Sequence, residues 1–180
     1  LLIGPPGAGK GTLAQELSEQ HRYVHFSMGQ ALREHVEKKG KFASKVEKIQ
    51  MNGGLVPDFI VSFVLQEELS HHFSKTKHPR ILLDGFPRNL RQTKMMEKIF
   101  AARKWDIDGV LLLETNTQTI WQRLKFRRQC STCGRIYGLH VHPKKKGLCD
   151  HDGGKLVRRA DDTKSIFEAR FRTYEKETLP

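Results

Sequence analysis

Residues 4–12 read Gly-Pro-Pro-Gly-Ala-Gly-Lys-Gly-Thr, and the apolar run Leu1-Leu2-Ile3 leads straight into them. Glycines at this density let backbone N–H groups turn inward around phosphate oxygens, and a helix starting at the lysine adds the positive end of its dipole. The run fits the phosphate-loop pattern G-x-x-x-x-G-K through Gly4, Gly9 and Lys10. Gly11 follows the lysine, and the hydroxyl comes one position later, at Thr12. The context agrees. Leu1–Gly4 reads as a strand, and residues 10–21 read as a helix with Leu13 and Leu17 on one face. A strand–loop–helix unit of this kind calls for a parallel sheet around it.

The rest of the chain supplies one. Strands are expected at 23–26, 80–86 and 109–115, and helices at 57–73, 89–103, 117–128 and 161–177. Helical spacing also covers 30–52, broken at Gly40 and at Asn52-Gly53-Gly54. Strand–helix alternation predicts an α/β, doubly wound parallel sheet. The alternation lapses over 129–160, where Cys, Gly, His and Lys dominate, and that stretch reads as a small inserted lobe. The chain has 180 residues, the size of one domain.

Charge bears on what such a loop would meet. The formal net charge is +12. Between residues 123 and 159, Arg123, Lys125, Arg127, Arg128, Arg135, Lys144, Lys145, Lys146, Lys155, Arg158 and Arg159 face only two acids, Asp150 and Asp152. Such a segment suits a polyanionic partner, a nucleoside triphosphate among them. Three cysteines cannot all pair, and no apolar run reaches membrane-spanning length, so a reducing, cytoplasmic setting without a membrane partner is expected.

Four short boxes narrow the reading. The Gly-Lys-Gly-Thr loop, "GLVPD" at 54–58, "DGFPR" at 84–88 and "RADD" at 159–162 occur in the order found in adenylate kinases, and the chain resembles the long-lid form of that family along nearly its whole length. The resemblance implies the P-loop nucleoside monophosphate kinase fold, with a helical acceptor-binding insertion and a small β-rich zinc lid. It divides the chain into core at 1–26 and 58–126, the insertion at 27–57, the lid at 127–160 and a core helix at 161–180. One further strand and helix follow in the family.

The activity implied is reversible transfer of a phosphoryl group from magnesium ATP to AMP, giving two ADP, under a closing lid and by a monomer. Such transfer needs two polyanions brought into line, their repulsion cancelled and water excluded. Catalytic roles are implied for Lys10, Asp84, Arg88, Arg127, Arg159 and Arg170, with Asp84 orienting magnesium. ATP would meet Gly7, Ala8, Gly9, Lys10, Gly11, Thr12, Arg123, Arg127 and Tyr137. AMP would meet Ser27, Met28, Arg33, Gly54, Val56, Gly85, Arg88, Gln92, Arg159 and Arg170. Guanidinium suits two-pronged phosphate contacts better than ammonium does. Asp161 and Asp162 either anchor the lid or cap the helix that follows.

Within the lid, Cys130 and Cys133 form C-x-x-C, and Cys149 stands three residues before Asp152. Two such turns separated by fifteen residues offer four ligands with zinc-knuckle spacing. Asp152 keeps the two-residue gap and matches family members with three cysteines; His151 is its rival, with His140, His142 and Asp150 behind. A lobe this basic, with little apolar material, gains from a structural ion.

The chain departs from the family pattern at Ser27-Met28-Gly29-Gln30, where the family has Ser-Thr-Gly-Asp. A hydroxyl beside the acceptor base becomes a thioether, and a carboxylate on the magnesium side becomes an amide. Three other readings fit the residues: a nucleotide-binding module of a larger protein with little turnover, a kinase with another monophosphate as acceptor, and a zinc-knuckle nucleic-acid binder. The last lacks aromatic interleaving, since Tyr137 is the only aromatic residue in 130–159.

Overall fold

The computed structural model describes residues 1–73 and 79–179. Positions 74–78 of the expected 58–126 core segment, and residue 180, lie outside the described residues.

The first strand, β1 (Leu2–Ile3), enters the glycine loop, which ends in α1 (Lys10–His21). Then come β2 (Val24–Ser27), α2 (Met28–Glu37), α3 (Ala43–Met51), α4 (Asp58–Phe73), β3 (Ile81–Asp84), α5 (Leu90–Arg103), β4 (Leu111–Leu112) and α6 (Thr117–Phe126). These strands form one parallel sheet in the order β2-β3-β1-β4, with Ser27 and Leu2 both registered against Asp84. The carboxyl ends of β2 and β3 and the loop after β1 therefore meet at one place, where open α/β sheets bind ligands.

Strand pleating puts neighbours on opposite faces, and β3 shows the consequence. Leu82 packs with Leu2, Ala14, Leu13 and Leu17 under α1. Leu83 packs with Phe26, Met28, Ile60, Val64, Met96 and Phe100 on the side of α2, α4 and α5. The sheet is thus covered on both faces, as apolar parallel strands require. α6 and the later α7 (Lys164–Glu177) share their own cluster of Ile120, Leu124 and Phe167.

Local chemistry sets the helix starts. Ser27, Asn89, Asn116 and Thr163 each accept a backbone N–H in the first turn of α2, α5, α6 and α7, replacing a bond the helix itself cannot make. The helical stretch expected over 30–52 forms two helices with the expected break around Gly40, where a Cβ would fall 2.2 Å from the His35 imidazole. The helix expected over 117–128 stops at Phe126, because Arg127 is extended and Arg128 opens β5 (Arg128–Cys130). The strand expected over 109–115 is only two residues long. It pairs with β1 alone, and Leu111 and Leu112 stay half exposed at 50% and 54%.

The inserted lobe is a second, antiparallel sheet: β5 is central, flanked by β6 (Ile136–Tyr137) and β7 (Leu156–Val157). Its small core holds Cys130, Tyr137 and Cys149, with Val141 and Leu156 against them. The lobe lies against the phosphate loop. Arg135 pairs with Glu19 at 2.6 Å, and Ile136 N donates to Gln15 Oε1 at 3.0 Å, both partners being on α1. Among the described residues, no helix is long and apolar enough to cross a membrane.

Candidate active site and lid metal cluster

The glycine loop needs its glycines for space as well as for curvature. Gly4 has φ 144°, and a Cβ there would lie 2.4 Å from the Leu113 carbonyl oxygen. No side chain fits between β1 and the segment after β4. At Gly11, a Cβ would fall 2.7 Å from Ile136 Cδ1 of the lid strand β6. The residue after the lysine is small here because β6 packs directly over it.

Above the loop opens a cleft of about 650 Å³. The phosphate loop lines it through Gly7–Thr12, and the rest of its wall comes from β2, α2, the end of β3, α6, the lid and α7. Seven Lys or Arg side chains converge on it: Lys10, Arg33, Arg88, Arg123, Arg127, Arg159 and Arg170. A second cavity of about 50 Å³ adjoins it, lined by Met28, Gly54, Val56, Gly85 and Gln92 and sharing Arg33, Arg88 and Arg170 with the first. All the expected nucleotide residues therefore fall on these two cavities, Ser27, Asp84 and Tyr137 bordering the larger.

The electrostatics are those of charge held ready. Burial lowers the Lys10 pKa to about 8, although Asp84 opposes the shift. Its Nζ donates to the Gly4 and Pro5 carbonyls at 2.9 Å. Burial likewise lowers Arg88 to about 10, and its Nε is held by the Gly85 carbonyl at 2.8 Å. For Asp84, burial works against ionisation, but the facing His25, Lys10 and Arg88 outweigh it and hold the carboxyl below its ordinary range. His25 Nε2 lies 3.6 Å from Asp84 Oδ2, beyond a good hydrogen bond.

The arginines fall into two groups. Arg127 is fully engaged by the buried Asp162 through Nε and a terminal nitrogen, and Arg170 pairs with Asp161 at 2.7 Å. Asp161 and Asp162 thus bind arginines of the cleft; the helix cap is Thr163. Arg33, Arg123 and Arg159 rest instead on neutral oxygens: Gln30 Oε1 at 3.0 Å, the Ala8 carbonyl at 2.7 Å and Gln129 Oε1. Neutral acceptors orient a guanidinium without cancelling its charge.

Two expected base-pocket residues carry further detail. Gln92 is buried; its carbonyl accepts from Arg88 N and its amide donates to Asp58, each at 2.9 Å. One donor and one lone pair remain for a ligand. Met28 is 2% exposed and packs with Phe26, Leu32 and Val56 at the cavity edge. Tyr137 has its hydroxyl committed inside the lid, accepting from Asp150 N at 2.7 Å and donating to Cys149 Sγ at 3.4 Å.

In the lid, Cys130, Cys133, Cys149 and Asp152 bring one ligand atom each within 4.8 Å of one another. The rival histidines are not in this cluster; His151 contributes only its backbone N–H, to Cys149 Sγ at 3.4 Å. Thr132 N–H does the same for Cys130 Sγ, and Gly154 N donates to Asp152 Oδ1 at 2.9 Å. Donors aimed at sulfur suit thiolates, the form that binds metal.

Some residues of the site carried no sequence signal. Gln129, between Arg128 and Cys130, and His25, in an apolar strand, look like ordinary strand residues. Their partners lie 99 and 59 positions away. Only a polar residue predicted to be buried would have pointed to either.

The adenylate kinase family model matches residues 2–180. The whole chain aligns with the adenylate kinase of Thermosipho africanus at 39% identity, covering 83% of that protein. It aligns equally fully with those of Caldicellulosiruptor saccharolyticus at 37%, covering 83%, and Fervidobacterium nodosum at 36%, covering 82%. A phosphate loop under a lid, a cleft where seven basic side chains meet and whole-length similarity lead to one conclusion: this chain belongs to the adenylate kinase family.

Proposed function

We propose that the chain catalyses reversible phosphoryl transfer from ATP to AMP, giving two ADP. In the forward direction an AMP phosphate oxygen bonds to the γ-phosphorus as the bond to the β,γ-bridging oxygen breaks. The observation that carries this reading is the convergence of Lys10 and six arginines, from separate elements, on one cleft with a smaller cavity beside it. Two polyanions can be aligned there with little covalent help.

In this reading the donor phosphates lie on the loop Gly7–Thr12 with Lys10, and Arg123 and Tyr137 flank the donor nucleoside. Arg33 and Arg88 take the acceptor phosphate, while Ser27, Met28, Gly54, Val56, Gly85 and Gln92 surround the acceptor base. Arg127, Arg159 and Arg170 face the group in transit. Asp84 is the carboxylate suited to orient the magnesium that accompanies ATP, and its ionised state in the free protein fits that use. Magnesium would supply charge neutralisation on the transferred phosphates. Residues 27–57 serve as the acceptor-binding insertion and 127–160 as a closing lid on the core formed by 1–26, 58–126 and 161–180. The protein is expected to act as a monomer in the cytoplasm.

Zinc is the ion proposed for the lid. A tetrahedron with zinc–sulfur bonds of about 2.3 Å has edges of about 3.8 Å. The Cys133–Cys149 sulfur separation is 3.6 Å, and Cys130 Sγ is 3.3 Å and 3.6 Å from the Asp152 oxygens. Four protein ligands leave no open position, so the ion's role is structural.

The test is a coupled assay of ADP formation with magnesium ATP and, in turn, AMP, CMP, UMP and GMP. AMP should be the best acceptor. A purified, zinc-loaded protein that binds ATP yet forms no ADP with any of the four would show a nucleotide-binding module instead.

A further inference from the structure

The geometry points to Gln30 and Gln129 as a pair of positioning residues, a neutral amide bridge that registers the lid against the acceptor side of the cleft and holds one phosphate-facing arginine from each. This inference rests on the phosphoryl-transfer reading above.

Gln129 sits in the middle of the central lid strand β5, with Ile136 registered on one side and Val157 on the other. Its backbone is therefore fixed by both neighbours, and its side chain is buried at 8% exposure. Its Nε2 donates to Gln30 Oε1 at 2.8 Å, across 99 residues of sequence. Gln30 lies in the first turn of α2, where its Nε2 donates to Glu34 Oε1 at 2.9 Å. Each amide oxygen also holds a guanidinium: Arg33 donates to Gln30, and Arg159 to Gln129. The result is a continuous chain, Arg33–Gln30–Gln129–Arg159, running from acceptor insertion to lid.

Two physical consequences follow. First, the central bond exists only when the lid and the insertion are both in place, so it contributes to the closed state alone. Interactions confined to one of two states shift the balance between them. Second, neither glutamine carries charge. A carboxylate at position 129 would pair with Arg159 and remove the positive charge that a phosphate needs; the amide aims the guanidinium and leaves its charge free. Arg127 and Arg170, by contrast, rest on carboxylates in this cleft.

The experiment is steady-state kinetics on the zinc-loaded chain with Gln30→Met, Gln129→Met, the double variant and Gln129→Glu, each checked by thermal melting. One hydrogen bond contributes roughly a factor of two to ten. Each single Met variant should lower kcat/KM for the acceptor by about that factor, with donor KM moving less than twofold. The double variant should lose less than the product of the two single losses, since the central bond is removed in both singles and can be lost only once. Gln129→Glu keeps an acceptor for Arg159 but adds charge, so it should lower kcat without lowering Tm. Losses that multiply in the double variant, or that follow Tm, would overturn the bridge; so would a Gln129→Glu enzyme with unchanged kcat. If Gln129→Met fails to fold, Gln30→Met and Gln129→Glu still decide the matter by the same readouts. Should the unsubstituted protein form no ADP, the phosphoryl-transfer reading fails and the bridge with it, whereas an active protein with independent variants removes the bridge alone.

Discussion

Lys10 sits in the cleft with its pKa lowered by burial from an ordinary 10.5 to about 8. Bound phosphates favour the ammonium and raise that value again, so above pH 8 each binding event must take up a proton. Donor affinity is therefore expected to fall as pH rises from 8 to 9.5. Titrating KM for ATP across that range tests it, and Lys10→Arg should flatten the profile because guanidinium keeps its charge. Lys10→Ala should cost at least about a hundredfold in kcat, the usual scale for one preorganised charge. Met28 makes a second residue-level case. It is buried in the core and also lines the smaller cavity. Met28→Thr should lower stability by on the order of 2 kcal/mol, since it empties space and buries a hydroxyl. In the proposed reading the same substitution places a polar group beside the acceptor base, so the AMP to CMP ratio of kcat/KM should rise. Melting and kinetics on one preparation separate the two effects.

At the scale of elements, the proposed closure rests on the lid and the phosphate loop. The lid has three short strands and a core of a few side chains, two of them cysteines that also belong to the proposed zinc site. A sheet this small cannot offset its chain entropy by burial alone. Removing the ion, or Cys149→Ser, should melt the lid at lower temperature while the helices of the core persist, as far-ultraviolet circular dichroism would show. If chelation left the melting profile unchanged, the cluster would not be a structural metal site. Gly11 tests the contact from the other side. A Cβ there meets the tip of Ile136, so Gly11→Ala should hinder lid closure and lower kcat, and Ile136→Val should restore part of the loss by making room.

At the scale of the whole molecule, the buried carboxylate of Asp162, just before α7, ties the lid arginine Arg127 to the core. Asp162 is 1% exposed and engages Arg127 through both oxygens. Removing one partner of such a pair leaves an uncompensated buried charge. Asp162→Asn is therefore expected to cost about 3–5 kcal/mol in the free protein. Phosphate binding would partly replace the lost carboxylate, so saturating ATP should recover more stability in this variant than in the parent. Chemical denaturation with and without ATP measures the difference.

Much of this was legible before any fold was drawn. The glycine loop, the helix behind it, the order of strands and helices and the two cysteine turns all depend on residues close in sequence. Local sterics, capping and hydrophobic period act at that range. Strand ends were less legible. Residues 109–115 read as one strand, yet only Leu111 and Leu112 pair, half exposed beside a single neighbour. The boxes named which arginines to watch, but not how they divide. Carboxylates for Arg127 and Arg170, and amide or carbonyl oxygens for Arg33, Arg123 and Arg159, are choices between groups dozens of residues apart, decided only by packing. His25 facing Asp84, Ile136 over Gly11 and the Gln30–Gln129 bond belong to the same class. The sequence determined the elements and the chemistry each carries, because those are local properties. The tertiary structure decided which charges stay free to meet a phosphate, because that depends on what the fold brings within hydrogen-bond reach.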